Sequence, residues 1–254
     1  MKSTNCIILF TKAPLPSQVK TRLTQHGFLD AEQAAEVYVA FLTDVLETLS
    51  RYVSRNNIDV IISYTPKEGL RKILEVTSGL QIPVEHVSFD LQEGEEFDQK
   101  MNSAFRKAFA AGYEAAVIIG GDSPTIREEY LDDAFKILSR QRDLGRDVIV
   151  VGPAKDGGVY LIGLRNGTSF DFNGIFPGKG ELDDSLSRLE DRACELSMQI
   201  FRTSLLYDVD VPEDLEILKG ELAKNPELAP HTRILLKRLK KIEPTSDCLE
   251  KNDK

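Results

Sequence analysis

Cysteine is scarce in this chain, and the few cysteines stand apart. Cys6, Cys194 and Cys248 are the only three in 254 residues. They show no CxxC spacing and no histidine at metal-ligand spacing, which argues against a zinc site and a disulfide framework. Cys6 lies in an apolar run and reads as core. His26, His86 and His231 are scattered and take no role. No apolar run approaches the ~20 residues of a membrane helix, and the N-terminus shows no signal-peptide pattern, so a cytoplasmic protein with no membrane partner is expected. Nothing resembles a linker before the last dozen residues, and no internal repeat is present. Residues 1–242 are expected to form one domain and 243–254 a disordered tail.

Basic charge is also short. The net charge of -9 argues against a nucleic-acid partner. Its distribution is uneven, however: Lys2, Lys12, Lys20 and Arg22 precede the first acid, Asp30. The segment is a positive island in an acidic protein.

Hydrophobic residues at 41% and charged residues at 29% suit a soluble globular protein with a core. Short β-branched runs at 5–10, 59–64, 84–89, 116–119, 147–151, after Gly158 and at 199–206 read as strands. Between them, apolar residues recur at helical spacing over 30–50, 67–76, 95–111, 130–138 and 181–196, with further helices at 212–222 and 230–242. Asp30 suits an N-cap, and Thr125 with Glu128 has capping-box spacing. The basic residues Arg233, Lys237, Arg238, Lys240 and Lys241 read as a solvated helix face. The irregular, aromatic- and glycine-rich loop 169–180 reads as a lid or an acceptor-site wall. Strand and helix alternate, which predicts an α/β fold with a mainly parallel sheet.

Open α/β sheets bind ligands at the carboxyl ends of their strands, and three such ends carry charged groups. Asp122 follows the buried strand 116–119 after Gly120-Gly121, where missing side chains allow close approach. Lys12, Lys20 and Arg22 lie on the loop after the first strand, and Asp208 and Asp210 follow the last. Carboxylates brought together from separate strands repel unless a cation stands between them. Mg2+ or Mn2+ completed by phosphate oxygens would satisfy them, with the basic loop neutralising phosphate. Each piece also has a plainer account. Asp122 suits a turn, Asp210 precedes Pro212 and Glu213 at cap spacing, Asp156-Gly157-Gly158 suits a hairpin turn, and the basic residues suit a surface.

Lys12-Ala13-Pro14, Lys20-Thr21-Arg22-Leu23, Gly121-Asp122-Ser123-Pro124, Gly152-Pro153 with Asp156-Gly157-Gly158, Tyr160 to Gly163, and Tyr207 to Leu215 occur in that order. They resemble the GT-A-type glycosyltransferase-like family of the nucleotide-diphospho-sugar transferase superfamily. That family is related to the phospholactate guanylyltransferases and, more distantly, the molybdenum-cofactor guanylyltransferases and sugar nucleotidyltransferases. The resemblance covers roughly residues 5–218. It implies a three-layer α/β/α sandwich of Rossmann-like type. It makes Asp122 the first metal ligand and Asp210 the second, with Asp208 nearby. Lys12, Lys20, Arg22 and Gly121 match the phosphate site, and Asp156, Gly157 and Gly158 the sugar or acceptor pocket. Lys20, Asp122 and Asp156 are the candidate catalytic residues, Asp156 as base. Ser17 stands where the family often has glycine, and Phe176-Pro177-Gly178 where a tryptophan-containing turn is usual.

The expected activity is metal-dependent transfer from a nucleotide sugar to a small-molecule acceptor. The alternative is nucleotidyl transfer from a nucleoside triphosphate with release of pyrophosphate, and a third reading is a nucleotide-binding module without catalysis. A homodimer is left open.

Overall fold

β1 (Asn5–Lys12), β2 (Ile58–Thr65), β3 (Val87–Leu91), β4 (Ala115–Gly120), β5 (Val148–Pro153), β6 (Val159–Arg165) and β7 (Gln199–Arg202) make one sheet in the order β3-β2-β1-β4-β6-β5-β7. The computed structural model describes residues 3–79, 82–176 and 183–239. Strands β1 to β4 are parallel, β7 is parallel to β5, and β6 alone runs antiparallel to its neighbours β4 and β5. A short turn at 154–158 joins β5 to β6, and strands joined so tightly must run antiparallel.

The central strands are apolar on both sides because both sides are covered. With a two-residue period, Ile7, Leu9, Val117, Ile119, Val148 and Val150 face one cluster, while Cys6, Ile8, Ala116, Ile118, Ile149 and Val151 face another. Helices α1 (Ala31–Arg55), α2 (Leu70–Thr77) and α4 (Glu128–Asp143) cover the first side, and α3 (Phe97–Ala110) and α5 (Ser185–Glu195) the second. The result is the expected three-layer α/β/α sandwich. Cys6 is fully buried among apolar neighbours, as its run suggested. Among the described residues, no helix is long and apolar enough to cross a membrane.

Helix α1 carries a second apolar stripe. Ala34, Val37, Tyr38 and Phe41 pack with α6 (Pro212–Lys224), α7 (Pro230–Leu239), Val19, Leu23 and Val209. Its start is the expected one: the Asp30 carboxylate accepts from the Gln33 N–H at 2.7 Å, and the Gln33 side chain accepts from the Asp30 N–H at 3.0 Å.

Several boundaries differ from the sequence pattern. Helix α4 begins at Glu128 without a side-chain cap, because Ser123, Thr125 and Ile126 are drawn into the interior before it starts. Residues 84–86 form a helical turn, so β3 begins at Val87. Beyond β7, only a single bridge joins Leu206 to Ala154. The expected tail at 243–254, the end of the last helix and residues 177–180 lie outside the described residues.

Candidate active site

Strands β1 and β4 end side by side, with Phe10 opposite Gly120. What brings the chain after β7 to the same edge is apolar packing. Val19 and Leu23 of the β1 loop share a cluster with Val209 and Leu215. Burying each is worth about 1.5–3 kcal/mol. The polar residues between these anchors are thereby forced together across more than 180 positions: Lys20 and Arg22 meet Asp208 and Asp210.

Lys20 Nζ lies 2.7 Å from Asp210 Oδ1 and 3.1 Å from Asp122 Oδ2, and its side chain is only 5% exposed. Burial works against its charge, yet Asp122 and Asp210 outweigh that and hold the ammonium above the usual lysine range. Arg22 Nη1 is 3.3 Å from Asp210 Oδ2. Burial would raise Asp210, but Lys20 and then Arg22 and Lys12 carry it below the usual carboxylate range.

Asp208 is placed differently. It accepts from Ser123 Oγ at 2.6 Å and forms no ion pair with another described residue. Burial, and then the charge of Asp122, push it up to about 7. Asp156 is also raised, by burial and then by Asp183, against the N–H of Gly158 that it accepts at 3.0 Å.

Asp210 is not the helix cap its spacing allowed. The Asp214 carboxylate accepts from the N–H groups of both Asp210 and Val211, at 2.9 and 3.0 Å. Capping is thus done from inside α6, which leaves the Asp210 carboxylate to Lys20 and Arg22.

The glycines have local reasons. A Cβ on Gly120 would stand 2.7 Å from Asp122 Oδ1, so its absence lets that carboxylate fold back over the strand end. A Cβ on Gly121 would stand 2.9 Å from Thr11 Oγ1 and 3.0 Å from the Tyr38 hydroxyl. Gly157, at φ +99, and Gly158 are closed upon by Asp183, whose backbone oxygen would lie 2.3 Å from a Cβ on Gly157. Asp156 faces the cleft.

That cleft has a volume of about 670 Å3, and Lys12, Lys20, Arg22, Asp122, Asp208 and Asp210 all line it. The structure adds residues to those read from the sequence. Tyr38 bonds Thr11 at 2.7 Å, and burial, with the charge of Asp122, pushes it up to about 12. Ser123 holds Asp208, Asp183 backs Asp156, and Lys100 and Phe97 line the far side. Tyr38 and Phe97 fit the apolar stripes of their helices, and nothing in their spacing marks them as cleft residues.

The donors decide whether a divalent cation suits this place. Asp122, Asp208 and Asp210 offer only oxygen, the donor type of Mg2+ and Mn2+. Asp208 is raised first by burial and then by the charge of Asp122, which Lys20 offsets only in part. Both features fit a hard cation, although the Lys20 ammonium already bridges Asp122 and Asp210. Among the described residues, the group of three acid and histidine side chains with ligand atoms all within 4.8 Å of one another is Asp44, Glu47 and His231, not Asp122, Asp208 and Asp210. There Asp44 is occupied in capping α7, accepting the N–H groups of His231 and Thr232 at 3.0 and 2.9 Å.

The strand order and the antiparallel β6 make an α/β fold of the type seen in a nucleotide-diphospho-sugar transferase-like protein. The chain belongs to the family described as "Uncharacterized protein conserved in bacteria (DUF2064)", which it matches over residues 48–179. It is similar to a protein of Desulfovibrio desulfuricans G20 provisionally named a nucleotide-diphospho-sugar transferase, with 28% identity over 94% of this chain and 96% of that one and a TM-score of 0.74. A cytidylyltransferase of Leptospira borgpetersenii serovar Hardjo-bovis shares the fold at 15% identity, over 94% of both chains, with a TM-score of 0.55. So does a 4-diphosphocytidyl-2C-methyl-D-erythritol synthase of Anaerococcus prevotii DSM 20548, at 14% identity over 87% of this chain and 97% of that one, with a TM-score of 0.51. No curated protein matches the chain.

Proposed function

We propose that the chain is a divalent-metal-dependent transferase that moves a sugar from a nucleotide-diphospho-sugar donor to a small-molecule acceptor. The observation that carries this reading is the meeting of Asp122, Asp208 and Asp210 with Lys20 and Arg22 in one cleft at the strand ends. The likeness to the Desulfovibrio protein supports the sugar donor. Asp122, Asp208 and Asp210 would hold Mg2+ or Mn2+, which when bound supplies positive charge to the departing diphosphate.

The residues of the chain do the rest. Lys12, Lys20 and Arg22 bind phosphate oxygens and balance the charge that grows on the leaving group. Tyr38 and Thr11 hold the floor beneath Lys20. Asp156, which lines the cleft on the turn before β6 and is raised by burial above the usual carboxylate range, would accept a proton from the acceptor.

Nucleotidyl transfer is the second reading. It is favoured by the three basic side chains on one loop, which suit pyrophosphate as a leaving group. Thermal unfolding against a panel of nucleotide sugars, nucleoside diphosphates and triphosphates, with and without Mg2+ or Mn2+, tests both, because a ligand of the folded state raises the melting temperature. A metal-dependent rise with one nucleotide sugar, followed by release of its nucleoside diphosphate, is expected. A rise confined to one triphosphate, with pyrophosphate as product, would replace the sugar donor by the second reading. No rise with any of them would remove both.

A further inference from the structure

The cleft has another wall, which the phosphate chemistry leaves unused. Helix α3 begins at Phe97, and its first turn presents Phe97, Lys100 and Met101 to the cleft. Phe97 is 48% exposed, yet it is held in place. Its ring centre lies 5.4 Å from that of Phe10 and 4.7 Å from that of Phe176, edge to face in both pairs. Phe10 belongs to β1, two residues before Lys12, so the aromatic wall adjoins the charged strand ends.

The segment that supplies Phe176 is stitched down. Asp98 accepts from the N–H groups of Gly174 at 2.7 Å and Phe176 at 3.1 Å. Asn102 accepts from the Phe172 N–H at 3.0 Å and donates to Asp171 at 2.7 Å. Arg192 of α5 donates to the carbonyls of Asp171 and Asn173 at 2.8 and 3.1 Å. Of the two roles the sequence allowed for this loop, its described part has the build of a wall. A ligand meeting it finds a surface already ordered, which lowers the cost of binding.

Lys100 gives that surface a charge. Among the described residues it is the one basic residue lining the cleft that comes from outside β1 and the loop after it. Its side chain forms no hydrogen bond or ion pair among the described residues. In a cleft that also holds Asp122, Asp156, Asp183, Asp208 and Asp210, an ammonium left free beside an exposed ring is available to an anion brought by the ligand.

We infer that this wall receives the second substrate, and that the substrate is a small amphiphilic anion. Its flat or aliphatic body lies against Phe97, Phe176 and Phe10, and its carboxylate or phosphate meets Lys100. The role of acceptor rests on the transferase reading; the binding does not.

Two fluorescent probes separate the contributions in the full-length protein: 8-anilinonaphthalene-1-sulfonate, an aromatic anion, and its uncharged relative N-phenyl-1-naphthylamine. Lys100→Glu is expected to weaken the sulfonate at least about tenfold and leave the amine unchanged. Phe97→Ala should weaken both probes. Both variants should keep the stabilisation by metal and nucleotide seen in the wild type. The inference is overturned if the wild type does not bind the sulfonate, or if both variants bind it as the wild type does. It is also overturned if Lys100→Glu loses the nucleotide effect, which would move that lysine to the phosphate site. If no nucleotide stabilises the wild type, the transferase reading falls, while a sulfonate loss in Lys100→Glu still establishes an anion-binding wall.

Discussion

Asp59 and Asp208 sit at opposite ends of the same sheet, Asp59 buried and Asp208 half-buried, and the fold treats them oppositely. At the amino end, Asp59 of β2 accepts from the Tyr113 hydroxyl at 2.8 Å on one oxygen and meets His86 Nδ1 at 2.7 Å on the other. Each oxygen has a partner, and the group ties β2 to the turn before β3 and to the start of β4. At the carboxyl end, Asp208 has Ser123 and faces the charges of Asp122 and Asp156, offset in part by Lys20. A structural carboxylate is satisfied within the fold, whereas this one is left with charge for something else to balance. Incomplete compensation, added to burial, separates the proposed working end of the sheet from the structural one.

The largest break in that comparison is expected from Asp122→Asn. Turnover should fall on the order of 10²–10³-fold, and the metal-dependent rise in melting temperature should vanish, while Asp59→Asn leaves both intact. Nucleotide stabilisation and any activity both unchanged in Asp122→Asn would favour a nucleotide-binding module without catalysis.

Next comes Lys20→Met, which removes the standing countercharge between Asp122 and Asp210. It should cost about 1–3 kcal/mol in denaturant unfolding, the low side of a broken ion pair because both carboxylates remain partly hydrated. Mn2+ should then restore more stability than it adds to the wild type. An equal gain in the two proteins would show that metal and ammonium do not share the same carboxylates.

The third effect is one of pH. A carboxylate must lose its proton to hold a cation. The proton wins at Asp208 below about 7. Mn2+ affinity measured by calorimetry should therefore fall as the pH is lowered through this value, approaching tenfold per unit at most for one proton, and Asp208→Asn should flatten the profile. Asp59→Asn is expected to cost about 1–2 kcal/mol through its unpaired partners, with no change in metal affinity. The smallest effect belongs to Ser17, at φ +63. Ser17→Gly should stabilise the loop by about 0.5–1 kcal/mol, visible as a small rise in melting temperature.

Much of the working end was legible because its chemistry is local. Gly120-Gly121-Asp122 after an apolar run announces a strand end, and the charge island before Asp30 supplies the Lys20 and Arg22 that line the cleft. Ser17 adopts the left-handed backbone that glycine favours. Other features depend on partners far along the chain. Asp210 and Asp214 both stand near the start of α6 at spacings that suit capping, and the arrival of Lys20, packed in by Val19 and Leu23, pairs Asp210 while Asp214 caps. Thr125 has the spacing of a capping box but is drawn inside with Ile126. Phe97 follows the apolar period of its helix, yet half of it faces the cleft, because periodicity reports a face and not what covers it. The satisfied state of Asp59 was invisible for the same reason.

The hold of Asp98 and Asn102 on the segment around Phe176 bears on how such a cleft can be redesigned. These side chains belong to α3, about seventy positions upstream of the backbone they grip. Grafting the 169–176 segment into a relative that lacks them would deliver the aromatic side chains without the scaffold that aims them. Any exchange of ligand preference between such proteins has to move as a set, helix start and loop together.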